Sequence, residues 1–154
     1  MATKLQPAEM RAWRAFLDAQ ASLLRRLGAD LIEEEDITLA EYDVLLQLSF
    51  APDGRLRMTE LSDRVRLSPS GLTRLVDRLV RSGLVRRGRC ASDRRGSYAI
   101  LTAAGRGRVR RASPVHLRGI REHFSKHLSP AQLEAVAEAL EPLGRDMPIG
   151  VSSN

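Results

Sequence analysis

The stretch from Ser68 to Gly83 limits what this chain can fold into more than any other part of it. Ser68 before Pro69 is a cap-then-proline signal that opens a helix, and Ser82-Gly83 is a signal that closes one. At about 100° per residue, Leu72, Leu75, Val76 and Leu79 share one side of that helix. Ser70, Thr73, Arg74, Asp77 and Arg81 share the other. The apolar side needs a core to bury it. The polar side sets small hydroxyls and guanidinium groups on a rigid rod, a combination suited to base edges in a DNA major groove.

The flanking sequence supplies that core. Thr59 opens a short helix with Leu61 and Val65 inward, and Arg66-Leu67 turns tightly into Ser68. Beyond Gly83, residues 84–89 and 97–101 read as two short strands around a basic loop, residues 90–96. Helix, tight turn, helix and basic hairpin together describe a winged helix-turn-helix. Upstream, Pro7 starts a long helix with apolar residues at Met10, Trp13, Leu17, Leu24, Leu27 and Leu31, ending in the acidic run 33–36. Thr38 and Glu41 form a capping box for a helix holding Tyr42, Leu45, Leu46 and Leu48, which Ala51-Pro52-Asp53-Gly54 breaks. Downstream, Thr102 caps a helix expected to reach about Leu128 and to bend at Pro114. Ser129-Pro130 restarts a last helix with Leu133, Val136 and Leu140 on one face.

The expected fold class is mostly α with a small β wing, a winged helix-turn-helix whose N- and C-terminal helices form a dimerisation base. The expected organisation is a dimerisation helix over residues 1–37, a DNA-binding lobe over 38–101 and C-terminal dimerisation helices over 102–147. These make one compact subunit, with a frayed tail over 148–154. A second copy is expected because the apolar stripes of the terminal helices have no surface of their own to cover them.

Charge points to the same partner. The net charge is +6, yet residues 55–111 carry 16 Arg, no Lys and only four acidic residues, Glu60, Asp63, Asp77 and Asp93. That segment holds +12, which leaves −6 for the rest of the chain. Such concentrated arginine is the electrostatic footprint of a nucleic-acid module. Ser70, Thr73 and Arg74 are the expected base readers. Ser68, Arg64, Arg78, Arg81 and Arg86 are expected to touch the DNA backbone or support the reading helix. Asp93, Arg94 and Arg95, at the hairpin tip, are expected to probe a minor groove, Asp93 holding an arginine by a charge-assisted bond.

The segment 61–87 with Gly83-Leu84-Val85-Arg86-Arg87, then Asp93-Arg94-Arg95, Leu101-Thr102 and Gly105, resembles the MarR family of bacterial transcription regulators. The ending does too, with His116, Phe124, Leu128-Ser129 and Leu133. The resemblance runs from about Trp13 to Leu143. It implies a homodimer on a near-palindromic operator of double-stranded DNA, usually as a ligand-responsive repressor. It also implies a cleft between dimer base and DNA lobe for a small aromatic or apolar anionic effector. Trp13, Arg14, Phe16, Leu17, Tyr42, Leu46, His116 and Ile120 are the candidate lining, with Arg14 or His116 facing a ligand carboxylate.

Other readings weigh less. One Cys, Cys90, permits no internal disulfide, and its place beside Arg87 and Arg89 makes redox sensing the alternative to an incidental thiol. His123 and His127 stand four apart, a spacing that can hold a metal, although no clean ligand set accompanies them. Neither a cofactor nor a metal is expected. Phosphate-loop, metal and nucleophile-elbow signatures are absent, so an enzyme is not expected; a Cys–His enzyme would need Cys90 on a sheltered element. An RNA-binding or nucleoid-type protein is the other alternative, but the basic segment holds a single aromatic, Tyr98, for stacking. No apolar run spans a bilayer and no signal-peptide layout opens the chain, so no membrane partner and a cytoplasmic location are expected.

Overall fold

The computed structural model describes the backbone of residues 4–90 and 93–144 and the side chains of residues 4–89 and 96–144. Its helices are α1 (Pro7–Glu35), α2 (Leu39–Phe50), α3 (Met58–Val65), α4 (Pro69–Arg81), α5 (Ala103–His123) and α6 (Pro130–Gly144). Its strands are β1 (Arg55–Arg57), β2 (Val85–Cys90) and β3 (Asp93–Leu101), in the antiparallel order β1-β3-β2.

The joints follow from local chemistry. Asp36 turns left-handed at φ 49° to end α1. Two residues later the Thr38 hydroxyl accepts from the Glu41 N–H at 3.1 Å, while the Glu41 carboxylate accepts from the Thr38 N–H at 2.9 Å. Arg66, at φ 56°, makes the turn between α3 and α4. The Ser68 hydroxyl then caps α4 by accepting from the Gly71 N–H at 3.2 Å. Gly83, at φ 75°, releases the chain into β2. The Thr102 hydroxyl donates to the Gly83 carbonyl at 2.7 Å and accepts from the Gly105 N–H at 3.0 Å, joining the end of α4 to the start of α5. Gly105 permits that approach: a Cβ there would lie 2.2 Å from the Leu84 carbonyl oxygen.

Three features differ from the sequence reading. A third strand, β1, pairs with β3 from Arg55↔Ile100 to Arg57↔Tyr98; at three residues, two of them arginines, it carries too little pattern to be recognised alone. The hairpin strands reach further into the expected loop, pairing Cys90 with Asp93 after an irregularity at Arg89. Finally, α5 ends at His123 rather than near Leu128, and residues 125–127 form a separate 3-10 turn. The His127 ring donates to the Glu122 carbonyl at 3.1 Å and satisfies one of the acceptors left open at the end of α5. Pro114 sits inside α5, which remains one helix across it. The expected tail, 148–154, lies outside the described residues.

One hydrophobic core joins α2, α3, α4 and the sheet to the end of α1 and the first half of α5, through Leu31, Leu45, Leu61, Val76, Leu101 and Val109 among others. The expected lobe therefore shares its core with both flanking helices. By contrast, α6 has no buried residue.

Candidate nucleic-acid interface

Helix α4 is seated firmly. Leu72, Leu75, Val76 and Leu79 are at most 3% exposed. Burial of this kind is worth about 1.5–3 kcal/mol per side chain, which fixes the direction of the opposite face. Ser70, Thr73, Arg74 and Arg81 are exposed on that face. The Ser70 hydroxyl lies 3.4 Å from that of the capping Ser68. The Thr73 hydroxyl donates to the Pro69 carbonyl at 2.8 Å. Among the described residues, Arg74 and Arg81 form no ion pair.

The other arginines are less alike than the sequence suggests. Arg78 lies 3.5 Å from the Glu41 carboxylate, a contact that ties α4 to α2. Arg87 on β2 donates to Asp77 on α4 at 2.8 Å. Asp77 thus holds the first wing strand against the reading helix, a link that a 10-residue separation along the chain concealed. Arg86 is exposed on β2, and Arg64 is half-buried on α3. The guanidinium groups of Arg55 and Arg57, on β1, stand 5.3 and 5.9 Å from the centre of the Tyr98 ring. The aromatic face in the basic segment is therefore covered by cations. Asp93, Arg94 and Arg95 stand in β3 by their backbone; their side chains, and that of Cys90, lie outside those described.

The expected ligand cleft is divided. Tyr42, Leu46 and His116 come together with Leu24, Leu39, Ala40 and Asp43 around an open cavity of about 490 Å³. The Tyr42 and His116 rings are tilted at 5.0 Å, and the Tyr42 hydroxyl bonds to that of Ser113 at 3.1 Å. Burial lowers the His116 pKa and leaves its Nδ1 without a hydrogen-bond partner among the described residues. Burial also raises the Asp43 carboxyl, against the pull of its hydrogen bond to Gln47. It raises Tyr42 as well, against its bond to Ser113. Trp13, Arg14, Phe16 and Leu17 lie elsewhere, exposed along α1, with the Trp13 and Phe16 rings stacked at 6.2 Å. Ile120 faces a separate hollow with Leu23, Leu27 and Phe124. Trp13, Arg14, Phe16 and Leu17 fall away because they stand on the N-terminal half of α1, whereas the cavity meets α1 at Leu24.

The acidic end of α1 is occupied by partners on α5. Arg108 donates to the Glu35 carbonyl at 2.9 Å, Arg111 reaches the Glu35 carboxylate at 3.3 Å, and Arg118 pairs with Glu34. His123 meets Asp30 at 2.8 Å. Among the described residues, no three metal-ligating side chains gather.

Residues 35–96 match the MarR family model. Along almost its whole length the chain is also 34% identical to AbsC, a MarR family transcriptional regulator from Streptomyces coelicolor. That likeness covers 94% of this chain and 97% of AbsC, with a TM-score of 0.86. The chain belongs to the MarR family. A second MarR regulator of S. coelicolor, Sco3205, solved in complex with DNA, is 32% identical. It matches 96% of this chain and 92% of its own, with a TM-score of 0.89. The HTH-type transcriptional repressor YetL of Bacillus subtilis is 28% identical over 106 residues. That alignment takes in 67% of this MarR chain and 64% of YetL, just under two thirds of the curated relative's length. These MarR relatives are transcriptional regulators rather than enzymes, and the winged helix-turn-helix seen here is the family's fold. No helix of the described residues is long and apolar enough to cross a membrane.

Proposed function

We propose that this MarR protein is a transcriptional repressor that grips a near-palindromic operator as a homodimer. One observation carries the reading: a helix locked by four buried apolar residues presents Ser70, Thr73 and Arg74, which has no ion pair among the described residues, outward from one face. Arg81 beside them and Arg86 on the wing extend a cationic surface to the DNA backbone. Ser68 caps the helix, Arg64 and Arg78 support it, and Asp93, Arg94 and Arg95 of the wing enter the adjoining minor groove. Covered by Arg55 and Arg57, Tyr98 offers no open platform for stacking bases, which favours duplex DNA over RNA.

The second copy is called for by the base. Trp13 is 53% exposed and Leu143 75%, and Phe16, Leu17, Leu24 and Leu140 are also exposed. An open apolar groove runs between α1 and α6, through Phe16, Leu23, Phe124, Leu128 and Val136. The same groove of a symmetry mate, presented in return, covers both. The cavity at Tyr42 and His116 is the place for a small aromatic effector. Its lining brings a carboxylate, Asp43, and a His held towards neutrality by burial, and, among the described residues, no Arg or Lys. An uncharged ligand suits it better than an anion.

Capture of sheared genomic DNA from the source organism tests the reading. Selective recovery of promoter-proximal fragments, with reduced transcription from them in vitro, is the expected result. Uniform recovery of all fragments would contradict it. A thermal shift with uncharged aromatics at neutral pH, greater than with the matching carboxylates, is expected of the cavity.

A further inference from the structure

Thr73 lies in the second turn of α4, exposed beside Ser70 and Arg74. Its hydroxyl donates to the Pro69 carbonyl at 2.8 Å. A hydroxyl has one hydrogen, so this group has no donor left to offer a base. The threonine β-carbon carries two heavy substituents. With the oxygen laid along the helix against Pro69, the methyl takes the outer position. Its neighbours differ in kind. The Ser70 hydroxyl makes a long hydrogen bond, 3.4 Å, to that of Ser68, and Arg74 presents a guanidinium without an ion-pair partner among the described residues.

We propose that Thr73 is a specificity-determining residue that reads thymine by methyl-to-methyl contact and not by a hydrogen bond. The inference rests on the operator-binding reading above and names the base that one position selects. In the major groove thymine alone among the four bases presents a C5-methyl. Guanine and the thymine O4 ask for a donor, which Thr73 has committed to Pro69. The amino groups of adenine and cytosine ask for an acceptor, and the Thr73 oxygen faces the helix backbone. The oxygen keeps its acceptor lone pairs, but the group that faces outward is the methyl, and its match among the bases is the thymine methyl. The adjacent Arg74 has the fork that fits guanine.

Single deoxyuridine replacements in a duplex selected from a random pool test this, because they remove only the methyl. One thymine per half-site is expected to be sensitive, its replacement weakening binding about fourfold, the worth of one buried methyl group. Replacement in both half-sites gives about fifteenfold. T73V keeps the methyl and loses the hydroxyl, so it keeps that sensitivity. T73S keeps the hydroxyl and loses the methyl, so it binds the thymine and uracil duplexes alike. Equal melting temperatures of both variants and the parent protein show that folding is intact. If no uracil position weakens the parent protein, or if T73S remains sensitive, thymine reading by Thr73 is overturned while operator binding stands. If no duplex is selected at all, the operator reading fails and takes this inference with it.

Discussion

Helices α4 and α6 have similar lengths, 13 and 15 residues, and both carry regularly spaced Leu and Val. In α4 four of the five Leu and Val side chains vanish into the subunit's own core and Val80 packs partly buried against it, whereas α6 buries none. The core behind the reading end is therefore complete within one chain, and on the proposed reading the base is half of an interface. An exposed apolar face of that extent costs free energy in water unless a second surface covers it. The two halves call for different occupants: an anionic polymer for one, a second copy for the other.

Charging the base would separate them most sharply. Val136→Asp combined with Leu140→Asp is expected to yield a folded monomer by analytical ultracentrifugation. Operator affinity should fall about 10²–10⁴-fold, the gain that linking two half-site contacts provides. An unchanged dimer mass would show that the exposed face of α6 is not the seam. In α4 the corresponding change acts on the subunit itself. Leu72→Ala should cost about 2–5 kcal/mol in a denaturant titration, because the side chain is fully packed.

Smaller effects distinguish residues within the reading end. Arg74→Ala should weaken operator binding by about 1–3 kcal/mol and relax base choice, leaving random DNA nearly unaffected. Equal loss on both duplexes would reduce Arg74 to a phosphate contact. Arg78→Ala should cost less, since Arg78 is already engaged by Glu41, a partly exposed pair worth about 1 kcal/mol.

A pH-dependent effect is expected where the lobe meets the base. His116 titrates below 6.5 in the folded chain because burial disfavours its charged form. Its contribution is thus fully present above pH 6.5 and is lost as pH falls through the lowered value, where the unfolded chain binds the proton first. Asp43, raised above 3.8, acts with the opposite sign at lower pH. Urea melts between pH 7.5 and 5.5 should show stability falling with acid, by at most about 1.4 kcal/mol per pH unit. His116→Gln should flatten that slope.

What the sequence revealed divides along the same line. The limits of α4 were legible because Ser68-Pro69 and Ser82-Gly83 act through local geometry. The capping box of α2 was legible for the same reason. Strand β1 was not, because it forms only once β3 arrives from more than forty residues away to pair with it. The end of α5 depends on a His127 side chain folding back. Within the interface, residue types marked Ser70, Thr73 and Arg74 as candidates. They could not show that Arg78 and Arg87 are engaged by Glu41 and Asp77, since those contacts cross between elements. The cleft around Tyr42 and His116 was gathered too widely, because helical spacing places Trp13 and Phe16 on an apolar stripe without saying which surface covers it.

Selection of bound duplexes from a random pool decides whether two α4 helices grip DNA together. A homodimer with two α4 helices should enrich a palindrome whose half-sites are centred about 10–10.5 base pairs apart, with a thymine beside a guanine in each half. Enrichment of no sequence, or of a single unrepeated half-site bound by one chain, would contradict the account.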